Sequence, residues 1–166
     1  RFVNPKMKAQ FGVDSMPETA DNVAADHDVS REDQDAFAAR SQQRWAEADE
    51  KGLFAEEIAP VTIPQRKGDD VIVDRDEHPR PGSTLDKLAK LRGINGANLT
   101  VTAGNASGVN DGAAAMLLAS EAGVKDHGLT PIARVVAMSA AGVEPRIMGI
   151  GPIPAVRKVL DRAGLS

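Results

Sequence analysis

Two glycine-rich segments hold the residue types that let a backbone approach a ligand closely. The first, TVTAGNASGVNDGAAA, runs from Thr100 to Ala115 and contains three glycines, two asparagines and one serine. The second, MGIGPIP, runs from Met148 to Pro154. Glycine, asparagine and aspartate tolerate left-handed backbone conformations. The first segment matches neither the P-loop nor the GxGxxG pattern. Two interpretations therefore stand: a phosphate-binding loop, or a tight turn before a buried strand.

Four basic residues precede the first glycine-rich segment: Arg80, Lys87, Lys90 and Arg92. They stand out in a chain whose formal net charge is −4. Such a cluster is typical of a site for a phosphorylated ligand, and also of the polar face of an ordinary amphipathic helix.

Other residue types set limits on the chemistry. The chain has no cysteine, which excludes a disulfide, a thiolate metal site and a cysteine nucleophile within it. The acids from Asp74 to Glu77 lack the ligand spacing of a calcium loop. The histidines share no metal-ligand spacing and are expected at the surface: His27, His78 and His127. We therefore expect no metal site and no covalently bound cofactor.

Composition indicates an ordinary soluble protein, with 42% apolar and 27% charged residues. The acidic balance argues against nucleic acid as a partner. The absence of a long apolar run argues against a membrane span, and the N-terminus lacks the apolar stretch of a signal peptide. A cytoplasmic location is expected. Because no initiator methionine is present, we expect the chain to be cut from something longer.

Caps and periodicity predict the elements that position these residues. A helix opens at Met16-Pro17, and a long one runs from the Ser30 cap to about Lys51 with Gly52 as its stop. The strand signals are Val61 with Ile63, and Val71 to Val73. Asp74 to Gly82 is too rich in charge and proline to be regular.

The C-terminal part alternates helix and strand signals. Thr84 caps a short helix, and Met116 to Ser120 fits either a helix or a buried strand. A helix follows from Glu121 to His127 with a stop at Gly128, then a strand from Ile132 to Met138. The last helix contains Val156, Val159 and Leu160. The predicted class is α/β, with α and β elements mixed.

Four segments in order resemble the thiolases. They are SREDQDAFAARSQQR (30–44), TLDKLAKLR (84–92), TVTAGNASGVNDGAAA (100–115) and MGIGPIPAVRKVL (148–160). The opening RFVNPKMKAQFGVDSMPETADNVA is most like the β-ketoadipyl-CoA (3-oxoadipyl-CoA) branch of that family. The resemblance covers essentially the whole chain.

The resemblance implies a fold of two similar halves in five αβαβα layers, with a loop domain inserted in the first half. Residues 1–110 then correspond to most of the coenzyme A (CoA)-binding loop domain. Residues 111–131 end the N-terminal half, and residues 132–166 begin the C-terminal half. Within this scheme Ala113 to Ser120 becomes a central strand, against its alanine propensity.

The resemblance also implies where CoA lies. Ser107 matches a serine that hydrogen-bonds the pantetheine arm, and Ala103 lies on the same wall. Arg80 and Lys87 match positions at the nucleotide end, although the family often has a smaller polar residue in place of Lys87. Met16 falls where the family lines the CoA or acyl channel. Met148 borders the acyl pocket.

The implied function is acyl transfer between CoA thioesters, in fatty acid metabolism or aromatic degradation. A 3-oxoacyl-CoA, for example 3-oxoadipyl-CoA, is cleaved by CoA, or formed by the reverse Claisen condensation. CoA is a substrate, and the complete enzyme is expected to be a dimer or tetramer of identical chains. The family's catalytic cysteines, GHP histidine and NEAF asparagine match nothing here, so the isolated chain is expected to be inactive. The alternative is a stand-alone, non-catalytic module that binds CoA or a partner.

Overall fold

The computed structural model describes residues 3–166. Arg1 and Phe2, the first positions of the predicted 1–110 domain, lie outside the described residues. The chain divides into two units. One is Ala24–Gly108, and the other combines the described part of Arg1–Val23 with Val109–Ser166.

The described residues contain six α-helices, one 3₁₀ helix and two strands. In chain order these are α1 (Pro5–Phe11), α2 (Met16–Asp26), α3 (Arg31–Glu50), β1 (Val61–Ile63), β2 (Val71–Val73), α4 (Leu85–Leu88), α5 (Glu121–Asp126), the 3₁₀ helix (Pro145–Ile150) and α6 (Pro152–Ala163). Helix α1 and the 3₁₀ helix were not predicted.

Side-chain caps begin the predicted helices where the sequence indicated. The Ser30 hydroxyl accepts from the Asp33 amide at 3.0 Å and starts α3. Thr84 starts α4 in the same way. Helix α3 is followed by Gly52 at φ +67°, in the left-handed region that favours glycine. The predictions for α2, α3, α4, α5 and α6 are confirmed.

The two strands form an antiparallel hairpin that pairs Val61 with Val73 and Ile63 with Val71. Both strand predictions are confirmed. All six strand residues are exposed, so neither face of the hairpin packs on a core. Residues 74–82 are irregular, as predicted.

Two further predicted strands are wrong. Residues 113–120 and 132–138 carry no helix or strand in the structure. Met116, Leu117 and Ile132 are largely exposed. A strand exists only through hydrogen bonds to a neighbouring strand, and within residues 3–166 these segments pair with none.

The buried apolar residues of the Ala24–Gly108 unit come from the end of α2, from α3, from α4 and from the first glycine-rich segment. They are Ala24, Ala39, Leu88 and Val101. Asp35 and Thr102 are buried with them. A buried carboxylate needs hydrogen-bond partners, and those of Asp35 bear on the functional site.

In the other unit, side-chain hydrogen bonds connect the segment 138–140 to α6. The Ser139 hydroxyl donates to the Ala155 carbonyl at 2.6 Å. Arg162 donates to the Met138 carbonyl at 2.7 Å, and Lys158 to that of Ala140 at 3.3 Å. These bonds explain why an irregular apolar segment follows a defined path beside the helix.

Helix α2 begins with a reciprocal cap. The Ser15 amide donates to Glu18 Oε2 at 2.6 Å, and the Glu18 amide donates to the Ser15 hydroxyl at 3.5 Å. The Ser15 backbone bond, followed by the bond with its side chain, lowers the pKa of Glu18. A carboxyl whose pKa is lowered by folding stabilises the protein above its unfolded pKa, and this contribution disappears as pH falls through the folded pKa.

We expect Glu18→Gln, made in the complete enzyme, to lower the melting temperature near neutral pH and to have less effect in acid. The amide keeps an acceptor for the Ser15 N–H and loses only the charge. Melting curves at about pH 7 and about pH 4 measure the difference in melting temperature between wild type and variant. Glu56→Gln, at an exposed acid outside the helices, is the control. A difference in melting temperature that is the same at both pH values would contradict the expectation.

Candidate functional site

The first half of the first glycine-rich segment, residues 100–107, folds as a tight turn closed by its own hydrogen bonds. The amide of fully buried Thr102 donates to Asn105 Oδ1 at 2.7 Å. The Thr102 hydroxyl accepts from the Gly104 amide at 3.2 Å, and its carbonyl accepts from the Ala106 amide at 3.0 Å. Of the two interpretations of this sequence, the tight turn is therefore present, although no buried strand follows it.

The turn presents small side chains outward. Ala103 and Ser107 are both exposed, while Gly104 to Ala106 are half-buried. A surface lined by a methyl group, a hydroxyl and glycine Cα atoms allows a narrow ligand to lie close to the backbone.

Gly104 lets the turn lie directly on α4. A Cβ atom built on Gly104 would overlap the ends of the Leu88 and Leu91 side chains. Any larger residue at this position would displace the leucines or lift the turn away from the helix.

A cleft of about 440 Å³ lies beside this contact. Its lining residues come from the irregular segment before α4, from α4 and the residues directly after that helix, and from the turn: Pro79, Arg80, Pro81, Gly82, Ser83, Lys87, Leu88, Leu91 and Gly104. The structure therefore brings Arg80 and Lys87 together with the glycine-rich turn. The other two residues of the basic cluster, Lys90 and Arg92, are exposed outside this lining.

The two cations are held by backbone carbonyls. Arg80 Nη1 donates to the carbonyls of Glu77, His78 and Pro79 at 2.5–3.0 Å. Lys87 Nζ donates to the Gly82 carbonyl at 2.7 Å. An ammonium has three donors and a guanidinium five, so each cation keeps donors for an anionic ligand. Among residues 3–166 neither forms a salt bridge.

Three side chains of α3 form hydrogen bonds or ion pairs next to this site: Arg31, Gln34 and Asp35. No role for them was predicted from the sequence. Arg31 and Asp35 form an ion pair at 2.7 Å, and Gln34 donates to the Thr100 hydroxyl at 2.9 Å. The spacing of Arg31 and Asp35, four residues apart, is the one signal in the sequence.

The two methionines of the predicted site belong to the unit that does not contain Ser107. Met16 begins α2 and is 65% exposed, and Met148, in the 3₁₀ helix, is 45% exposed. Asn22 of α2 donates to the Arg146 carbonyl at 3.0 Å and to Asp14 at 2.9 Å. This side chain therefore connects the helix that begins at Met16 to the 3₁₀ helix that contains Met148.

The described residues hold no group of histidine, cysteine or carboxylate side chains that could bind a metal ion. The predicted surface positions of His27, His78 and His127 are confirmed, since all three are exposed. Within residues 3–166 no helix is both long and apolar enough to cross a bilayer.

Known families and structures match nearly the whole chain. Residues 3–122 match the family "Thiolase, N-terminal domain", and residues 129–166 match "Thiolase, C-terminal domain". The β-ketoadipyl-CoA thiolase of Pseudomonas aeruginosa is 67% identical over all 166 residues, which span 41% of that relative's length.

Solved structures agree with these sequence matches. Acetyl-CoA acetyltransferase from Bacillus anthracis aligns with a TM-score of 0.82 and 47% identity, over 91% of this chain and 38% of that one. Human mitochondrial 3-ketoacyl-CoA thiolase in complex with CoA aligns with a TM-score of 0.81 and 48% identity, over 91% of this chain and 37% of that one. Together with the ordered motifs and mixed α and β elements, these matches show that the chain belongs to the thiolase family and has a thiolase fold.

Proposed function

We propose that this chain supplies the CoA-binding part of a thiolase, an acyltransferase that cleaves a 3-oxoacyl-CoA with CoA or runs the reverse condensation. The observation that carries the proposal is the cleft, in which Arg80 and Lys87 lie beside the glycine-rich turn. Cations suit the phosphates of the CoA nucleotide, and a turn of small residues suits its thin pantetheine arm. The 67% identity to a β-ketoadipyl-CoA thiolase favours 3-oxoadipyl-CoA as the substrate.

In this proposal Arg80 and Lys87 contact the nucleotide end, and Ser107 and Ala103 contact the pantetheine. The roles of the two methionines come from the family resemblance alone: Met16 lines the CoA or acyl channel, and Met148 borders the acyl pocket. Because the chain has no cysteine, the nucleophile that carries the acyl group belongs to the remainder of the complete enzyme.

The domain boundaries are part of the proposal: 1–110 for the loop domain, 111–131 for the end of the first half and 132–166 for the start of the second. A cytoplasmic location and a dimeric or tetrameric assembly remain predictions from the family resemblance. The stand-alone binding module remains the alternative. The length of the encoding reading frame separates it from an enzyme segment, because only an enzyme segment continues into the catalytic motifs.

The test compares CoA with pantetheine, which lacks the nucleotide, as acyl acceptors for the complete enzyme. We expect the double variant Arg80→Ala/Lys87→Ala to weaken CoA binding about tenfold or more, since hydrogen bonds to charged groups are strong. The binding of pantetheine should be the same in this double variant as in the wild type. Arg66→Ala/Lys67→Ala, which removes the same charge from the exposed turn of the hairpin, is the matched control.

Ser107→Ala should behave differently from the cation variant. Loss of one neutral hydrogen bond lowers kcat/KM by about two- to tenfold, and the loss should be equal for CoA and pantetheine. If Ser107→Ala lowers only the melting temperature, the hydroxyl caps the turn and has no ligand role. If neither the cation variant nor Ser107→Ala changes the kinetics with CoA, the proposed binding site is wrong.

A further inference from the structure

One buried carboxylate connects the two walls of the cleft. Asp35, in the middle of α3, is 4% exposed. Its Oδ1 accepts from Asn105 Nδ2 at 2.9 Å, and its Oδ2 accepts from Arg31 Nε at 2.7 Å. Each carboxylate oxygen thus serves a different part of the site.

The first connection runs from Asp35 through Asn105 to the backbone of the glycine-rich turn. Asn105 donates its second amide proton to the Thr100 carbonyl at 3.0 Å, while its Oδ1 accepts from the Thr102 amide at 2.7 Å. Both donors of this amide are therefore used. Asp35 fixes the plane of the Asn105 amide, and that plane determines the path of the backbone toward Ser107.

The second connection runs from Asp35 through Arg31 to the backbone at the end of α4. Arg31 Nη2 donates to the carbonyls of Leu88 and Leu91 at 2.7 and 3.0 Å. Helix α4 has four residues, too few to be stable by itself. Its position beside the turn therefore depends on outside contacts, and Arg31 supplies one to the last residue of the helix and another to the segment directly after it. Lys87 directly precedes Leu88, so the position of this cation depends on the same arginine.

We propose that Asp35 is a positioning residue for CoA binding. Through Asn105 it holds the turn that precedes Ser107, through Arg31 it holds the helix that contains Lys87, and it does not touch the ligand itself. The inference rests on the proposed function. The two connections together require a carboxylate at this position. A carboxamide at position 35 offers one acceptor oxygen in place of two, so either Asn105 or Arg31 would lose its partner.

The test uses Asp35→Asn in the complete enzyme. We expect KM for both CoA and pantetheine to rise about tenfold, because hydrogen bonds to a buried charge are lost, while kcat changes less. Without any ligand, the Thr102 amide should exchange its hydrogen faster, because its acceptor Asn105 is no longer held. A purely structural role would lower the melting temperature and leave KM unchanged, and that result would overturn the proposal.

A matched control sharpens this test. Asp49→Asn removes a carboxylate from the same helix, where it pairs with exposed Arg75 at 2.7 Å, and should leave KM and Thr102 exchange unchanged.

The two proposals fail in different ways. Faster Thr102 exchange with an unchanged KM for CoA would refute the link between Asp35 and the ligand. The proposed function itself fails only if Ser107→Ala and Arg80→Ala/Lys87→Ala also leave the kinetics with CoA unchanged.

Discussion

The 166-residue chain produced by itself should unfold without a sharp cooperative transition. It exposes 13,987 Å², whereas a folded monomer of this mass exposes about 7,900 Å². Among the described residues, the apolar ones that are buried are Ala24, Ala39, Leu88 and Val101, and three large side chains in sequence, Met116 to Leu118, are each at least 73% exposed. Burial of apolar area is the main favourable contribution to folding, and here it is small.

Heating the purified chain while following its far-ultraviolet circular dichroism measures this directly, with the complete enzyme as the control. The complete enzyme should melt sharply. The isolated chain should lose helix gradually and aggregate through its exposed apolar segments. A sharp melt of the monomeric chain, with equal calorimetric and van't Hoff enthalpies, would contradict the expectation.

Gly93→Ala in the complete enzyme should be strongly destabilising. A Cβ atom at this position would overlap the carbonyl oxygens of Gly96 and Leu99. These are backbone atoms, which cannot rotate away as the end of a side chain can. The loop must open, and because Gly93 pairs with Thr102 in an isolated bridge, the movement reaches the base of the glycine-rich turn.

We expect Gly93→Ala to cost about 1–3 kcal/mol of unfolding free energy, the usual range for overpacking, and to raise KM for CoA as well. Urea unfolding measures the first effect and steady-state kinetics the second. Gly142→Ala is the control, since a Cβ there meets nothing within 4 Å. Equal stability of the two alanine variants would contradict this expectation.

Local signals in the sequence were sufficient to predict most helices. Ser30 and Thr84 supply side-chain acceptors three residues before amide donors, and Gly52 supplies a left-handed stop. These effects act within one turn, so the sequence shows them without knowledge of the fold. Helix α1, which was not predicted, carries the same kind of signal: the Asn4 side chain accepts from the Lys6 amide, and Pro5 is the first residue of the helix.

Long-range features were not predictable in this way. The strand at 132–138 was predicted from composition and the strand at 113–120 from the family resemblance, but a strand needs a hydrogen-bonded partner, which neither composition nor resemblance supplies. The connection from Asp35 to Asn105 joins residues 70 positions apart, and no periodicity in the chain relates them. The basic cluster with Arg80 and Lys87 is visible in the sequence, but it fits an ordinary helix face equally well, and only the family resemblance gave these two residues a ligand role.

The internal hydrogen bonding of the glycine-rich turn has a consequence for the thermodynamics of binding. A turn built around a glycine, such as residues 100–107 around Gly104, would usually lose conformational entropy on meeting a ligand. Here Thr102 is fully buried, and Asn105 already holds the turn closed. Most of that entropy is therefore lost during folding, before the ligand arrives. The ordering cost of association then falls mainly on the ligand's own flexible arm.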